Sequence, residues 1–166
     1  MYNLLFVCYG NICRSPMAEM IFKDIVYKNN KKFLFNCESA AISMEEYGNG
    51  IYPKAREVLE KHNVTIEAHK ATVINKKDYK KYDYIICMDY SNYRHLMMIF
   101  NDDPDHKVKL LMSFTGSDEE IEDPWYTDKF EEVYDQINRG CNALFDKLVK
   151  NYQNSANFAK NGNIID

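Results

Sequence analysis

The chain has 166 residues, enough for one domain that buries roughly two thirds of its unfolded surface without help from a disulfide or a metal. Its 21 basic and 25 acidic side chains leave a formal charge of −4, with 46% apolar residues. That balance excludes a general nucleic-acid binder, which carries a basic surplus, and no apolar run approaches the ~18 residues of a membrane-spanning helix.

Leu4 to Cys8 is a short, nearly continuous apolar run, the mark of a strand covered on both faces. It lacks the basic flank of a signal peptide, so it reads as structure. After a loop, Ser15 is expected to cap a helix with Pro16 at its first position. Ala18, Ile21, Phe22 and Ile25 follow at helical spacing. Phe33 to Ala41 reads as a second strand, and a helix follows Pro53. Tyr82 to Asp89 is a third strand, Ser91 is expected to cap the next helix, and "KVKLLM" is the fourth strand. An acidic loop, "GSDEEIEDPWYTD", precedes a last helix with Phe130, Val133, Ile137, Cys141, Leu144 and Leu148 on one face.

Strands alternating with helices imply an α/β fold: a three-layer arrangement in which a four-stranded parallel sheet carries helices on both faces. Residues 1–150 form the domain, and the polar, asparagine-rich residues 151–166 read as a frayed tail. In such sheets ligands bind beyond the carboxyl ends of the strands, which is where the loop after the first strand lies.

The five cysteines, at 8, 13, 37, 87 and 141, are odd in number and include no C-x-x-C pair. Reduced thiols in a cytoplasmic protein are the simpler reading, and no metal site is implied. Cys37, Cys87 and Cys141 sit in apolar periodic segments and read as core.

The loop "CYGNICRS" combines features that together specify chemistry. Running into a helix N-terminus, residues Tyr9, Gly10, Asn11, Ile12, Cys13, Arg14 and Ser15 aim several N–H groups at one spot. The helix dipole makes that spot attractive to a phosphate-like anion. Gly10 permits tight curvature, Asn11 tolerates a left-handed backbone, and Arg14 supplies a fork for two phosphate oxygens. Cys8 alone would read as a buried strand cysteine. Beside N–H donors and Arg14 its thiolate is favoured, and a thiolate beneath a phosphoryl group attacks phosphorus. Ser15 can donate to the sulfur and ease its departure.

"VCYGNICRSP" resembles the signature loop of the low-molecular-weight protein tyrosine phosphatases. "EAHKA" at 67–71, "YDYIICMDYSN" at 82–92 and "EDPWY" at 122–126 are similar to the same family, in the same order. The resemblance implies hydrolysis of phosphotyrosine in a protein or peptide through a cysteinyl-phosphate, with inorganic phosphate or other oxyanions as product or inhibitors. It implies no cofactor, nucleic acid or membrane. Asp123, before Pro124, takes the place of the family's general acid and base. Trp125 and Tyr126 become walls against the substrate ring. His69 resembles a histidine that holds Asn11, and Asp89 an aspartate that supports the loop, with pairing to Arg14 expected. The second loop cysteine, Cys13, implies a reversible disulfide with Cys8 under peroxide.

The chain departs from the family around "SMEEYGNG". Glu45 falls about where an aromatic residue is expected, and Tyr47 is the nearest ring. Two other readings share the loop. A thioredoxin-coupled arsenate reductase needs two further redox cysteines downstream, where Cys87 stands alone. A non-catalytic phosphate-binding module predicts a missing nucleophile or acid, yet Cys8, Arg14 and Asp123 are all present.

Overall fold

In the computed structural model, which describes residues 1–162, the central strand is the apolar run itself. β1 (Tyr2–Cys8) is flanked by β2 (Phe35–Ala41) on one side and β3 (Tyr84–Cys87) on the other. β4 (Val108–Leu110) lies outside β3. The order is β2-β1-β3-β4 and every pairing is parallel. A parallel sheet needs cover on both faces, and strand alternation divides the core accordingly. Leu4, Phe6 and Cys8 face one apolar cluster, with Ile86 and Met88; Leu5 and Val7 face the other, with Ile85 and Cys87.

The helices close the layers. On the larger face lie α1 (Arg14–Lys28), α2 (Pro53–Lys61) and the long α6 (Phe130–Asn161). The six apolar residues expected on one face of α6 are all buried. Gly140 sits where α6 meets a 3-10 turn at Leu111–Thr115. A Cβ there would fall 2.6 Å from Leu111 Cγ, so only glycine permits this approach. The other face is covered by α3 (Asp78–Lys81) and α4 (Tyr90–Ile99). The single-turn α5 (Pro124–Thr127) lies in the acidic segment.

Several boundaries differ from expectation. The second strand starts at Phe35, because Lys32–Leu34 form a 3-10 turn. The third and fourth strands shorten to Tyr84–Cys87 and Val108–Leu110. Neither serine expected as a helix cap serves as one. The Ser15 hydroxyl is drawn to Cys8 and Asn11, and α1 begins at Arg14, two residues before the expected Pro16. Asp89, a carboxylate at the strand's end, caps α4 by accepting from the Asn92 N–H at 2.7 Å. The stretch read as a frayed tail continues α6 as helix to Asn161, and residues 163–166 lie outside the described residues. Asparagine is a weak helix former, but a helix already nucleated by packing propagates through it.

Candidate active site

The carboxyl edge of β1 delivers Cys8, and the chain then curls from Tyr9 to Cys13 before α1 starts. The curl is held from beneath by Asn11, fully buried, with φ +59°. Asparagine tolerates that left-handed backbone better than most residues because its side chain bonds locally. Here its amide nitrogen donates to Ser15 Oγ at 2.8 Å and Ser39 Oγ at 3.0 Å. Its amide oxygen accepts from the Thr72 N–H at 3.1 Å. Its carbonyl accepts from His69 Nε2 at 2.8 Å.

These bonds fix the direction of the next one. Asn11 Nδ2 can only donate, so Ser15 Oγ accepts from it, leaving the Ser15 proton for the Cys8 sulfur 3.0 Å away. The Asn11 N–H also points at that sulfur, at 3.3 Å. Cys8 is thus buried at the end of a strand with two donors directed at Sγ and the N-terminus of α1 beside it. Among the described residues, every buried side-chain nitrogen and oxygen has a hydrogen-bond partner.

Arg14 is 2% exposed. Its Nη1 donates to Asp89 Oδ2 at 2.6 Å and to the Ile121 carbonyl at 2.8 Å, and Nη2 lies 3.5 Å from Asp123 Oδ2. Burial pulls the guanidinium pKa down, but Cys8 and Asp89 outweigh it and hold the group above its ordinary value. Asp89 binds through both oxygens, one on Arg14 and one on the first turn of α4. The acidic segment is pinned to the same spot, since the Ile121 N–H donates to the Met88 carbonyl at 3.0 Å. Asp123 follows, half-buried, and its Oδ1 accepts from the Trp125 N–H at 3.1 Å.

A pocket opens above the loop, lined by Cys8, Tyr9, Gly10, Ile12, Cys13, Arg14, Glu45, Glu46, Asp123, Trp125 and Tyr126. Cys8, Arg14 and Asp123 therefore meet in one cavity, with Asn11, Ser15, His69 and Asp89 beneath and beside it. Trp125 and Tyr126 stand at the mouth, 54% and 82% exposed. Trp125 packs on Tyr52, with ring centroids 5.0 Å apart. Glu45 lines the mouth, its carboxylate accepting from the Tyr9 hydroxyl at 2.9 Å. Tyr47 does not line it. The turn at 45–48 leaves that ring exposed and places Glu46 against the loop instead.

Sequence reasoning also missed Glu19, Ser39 and Thr72. Ser39 Oγ donates to Glu19 Oε2 at 2.8 Å while accepting from Asn11. A signal existed for Glu19, a lone carboxylate in the apolar first half of α1; Ser39 and Thr72 had none.

The remaining cysteines differ in kind. Burial pushes the Cys37 thiol up to about 12 and raises Cys87 and Cys141 as well, so none supplies a thiolate at neutral pH. Cys13 is raised by burial and by the neighbouring Cys8. Among the described residues no group of three or more His, Cys, Asp or Glu is placed to hold a metal, and no helix is long and apolar enough to cross a membrane.

A parallel α/β sheet with a cysteine-centred oxyanion cradle after its first strand defines the class. A family model described as low molecular weight phosphotyrosine protein phosphatase matches residues 3–154. The low molecular weight phosphotyrosine protein phosphatase of Sus scrofa is 40% identical over 151 residues, 88% of this chain and 95% of that protein. The low molecular weight protein-tyrosine-phosphatase YfkJ of Bacillus subtilis is 34% identical over 155 residues, covering 92% and 99%. The crystal structure of YfkJ matches with a TM-score of 0.88 at 35% identity, over 91% of this chain and 96% of that one. The chain belongs to the low-molecular-weight phosphotyrosine protein phosphatase family.

Proposed function

We propose that this protein hydrolyses phosphotyrosine in proteins or peptides in two steps at Cys8. The thiolate of Cys8 attacks phosphorus, the bond from phosphorus to the phenolic oxygen breaks, and Asp123 gives its proton to the leaving phenolate. Loop amides and the Arg14 fork carry the charge on the equatorial oxygens. Water then attacks phosphorus, passing a proton to Asp123. The sulfur–phosphorus bond breaks, with the Ser15 hydroxyl stabilising the departing thiolate, and inorganic phosphate leaves. Sulfur and arginine supply nucleophile and charge stabilisation, so the reading needs no metal or cofactor.

The observation that carries this reading is the shared cavity. The Cys8 sulfur has two donors aimed at it, a buried arginine beside it, and the Asp123 carboxylate 3.5 Å from that arginine. The reading places the protein in a reducing compartment such as the cytoplasm, because Cys8 works only as a thiolate. Under peroxide, Cys8 oxidised to a sulfenic acid would condense with the Cys13 thiol, releasing water and forming a reducible disulfide. The catalytic unit is residues 1–150. Beyond it α6 is almost wholly exposed, with a Tyr152–Phe33 edge contact as its aromatic tie to the domain.

The test is phosphate release from an aryl phosphate by reduced protein, with a chelator present. Wild type should turn over, Cys8→Ser should fall to background, and Asp123→Ala should lose about 10²- to 10³-fold. Absence of wild-type turnover would sink the reading.

A further inference from the structure

Two carboxylates stand at the mouth of the pocket with no cation of their own. Glu45 Oε1 accepts from the Tyr9 hydroxyl at 2.9 Å, and Glu46 Oε2 accepts from Asn49 Nδ2 at 2.7 Å. Both donors are neutral, so neither bond sets a positive charge against the carboxylate, and each glutamate has one oxygen uncommitted. Among the described residues no lysine, arginine or histidine lies within 4.0 Å of either carboxylate. The nearest positive charge inside the pocket, Arg14, is already shared between Asp89 and Asp123. Lys54 is engaged by Asp128 at 2.5 Å.

Glu45 is bonded to the phosphate loop itself, and Glu46 lies against it. Tyr9 belongs to that loop and holds Glu45, and a Cβ on Gly10 would meet Glu46 Cγ at 3.4 Å. Both carboxylates therefore stand beside the place a phosphoryl group takes over Cys8. The facing wall, Trp125 and Tyr126, is uncharged and exposes ring surface that attracts cations.

We infer that Glu45 and Glu46 make the mouth selective for phosphotyrosine flanked by lysine or arginine, with Tyr9 fixing the position of one selecting carboxylate. The inference rests on the phosphatase reading and names its substrate class. Basic flanks gain two attractive charges, and acidic flanks meet two repulsive ones. Exposed pairs of this kind each shift affinity by about two- to five-fold, so together they give about ten-fold. Because the carboxylates face water, the preference fades as salt screens them.

The experiment compares kcat/KM on two phosphotyrosine peptides that differ only in lysine or glutamate beside the phosphotyrosine, with an uncharged aryl phosphate as a third substrate. Wild type should prefer the lysine peptide about ten-fold at low salt, with the ratio shrinking towards unity near 1 M salt. In a doubly substituted E45Q, E46Q protein, which retains the geometry of the side chains, the ratio should fall to about two-fold or less. Wild-type turnover of the aryl phosphate with equal rates on both peptides overturns the charge selection alone. So does a preference that survives high salt or the double substitution. No wild-type turnover on any substrate overturns the phosphatase reading and this inference together.

Discussion

The phosphate loop and the acidic segment meet at the same cavity but are built in opposite ways. In the loop, Asn11 and Ser15 are fully buried, Arg14 nearly so, and each buried side-chain nitrogen and oxygen has a partner. In the acidic segment, Trp125 and Tyr126 are open to solvent, and the segment is fastened ahead of them, at Glu119, Glu120 and Ile121. The loop's geometry is therefore part of the core, and damage there costs stability as well as chemistry. The segment's geometry is local, so damage there costs chemistry with little loss of stability.

Asn11→Ala is the strongest way to break that comparison. It forces alanine to φ +59°, at about 1–2 kcal/mol, and strips partners from Ser15, Ser39 and the Thr72 amide, at about 1–3 kcal/mol. We expect a loss near 3 kcal/mol, a fall in Tm of about 10 °C, and turnover reduced by at least about a hundred-fold. Asn11→Gly relieves the backbone alone, so its smaller loss of stability divides strain from hydrogen bonding. If Asn11→Ala melts like wild type, the loop is not held by the core.

A second prediction concerns pH and the buried thiols, all of which lie outside the acidic segment. Cys37 is raised in the folded protein to about 12 against an ordinary thiol near 8.5, and Cys13, Cys87 and Cys141 are raised too. Above pH ~8.5 the unfolded chain releases these protons and the folded chain keeps them. The stability they contribute is thus full below that pH and is lost as pH rises towards 12. For Cys37 alone the loss is about 2 kcal/mol by pH 10, which lowers Tm by about 4–8 °C. Thermal melts between pH 7 and 10 under reducing conditions measure it, and a flat Tm would contradict the burial.

The smallest stability effect belongs to the exposed side. Trp125→Ala removes a half-exposed ring packed at a tilt against Tyr52, worth about 1 kcal/mol or less, and should leave Tm within about 3 °C of wild type. Its KM for an aryl phosphate should rise about ten-fold, because the ring wall over the substrate is gone. A large drop in Tm would show that the segment is as integral to the core as the loop.

The same contrast explains what could be read without a structure. Cys8, Arg14 and Ser15 lie within eight residues, so spacing groups them, whereas Asp123, Trp125 and Tyr126, within four, were legible through the resemblance of "EDPWY" to the family. The sheet was legible because buried parallel strands leave unbroken apolar runs. What holds the loop was less so. Ser39 reaches Asn11 across 28 residues and Thr72 across 61, and a serine or threonine in ordinary surroundings carries no mark of such a task. The helix caps differ from expectation for a related reason: Ser15 has a better partner in Cys8, and Asp89 lies two residues before Ser91. Glu46 and Tyr47 are neighbours, and only the turn between them decides which faces the pocket.

Asp89 joins the two faces of the sheet through a single side chain, one oxygen on Arg14 and the other on the Asn92 amide of α4. Asn92 returns the contact by accepting from the Met88 N–H at 3.2 Å. An oxyanion that steadies Arg14 must also steady this carboxylate, and with it the first turn of a helix packed on the opposite layer. Occupancy of the cavity is therefore readable at a distance: the Asn92 amide should exchange its hydrogen with solvent more slowly when phosphate is bound.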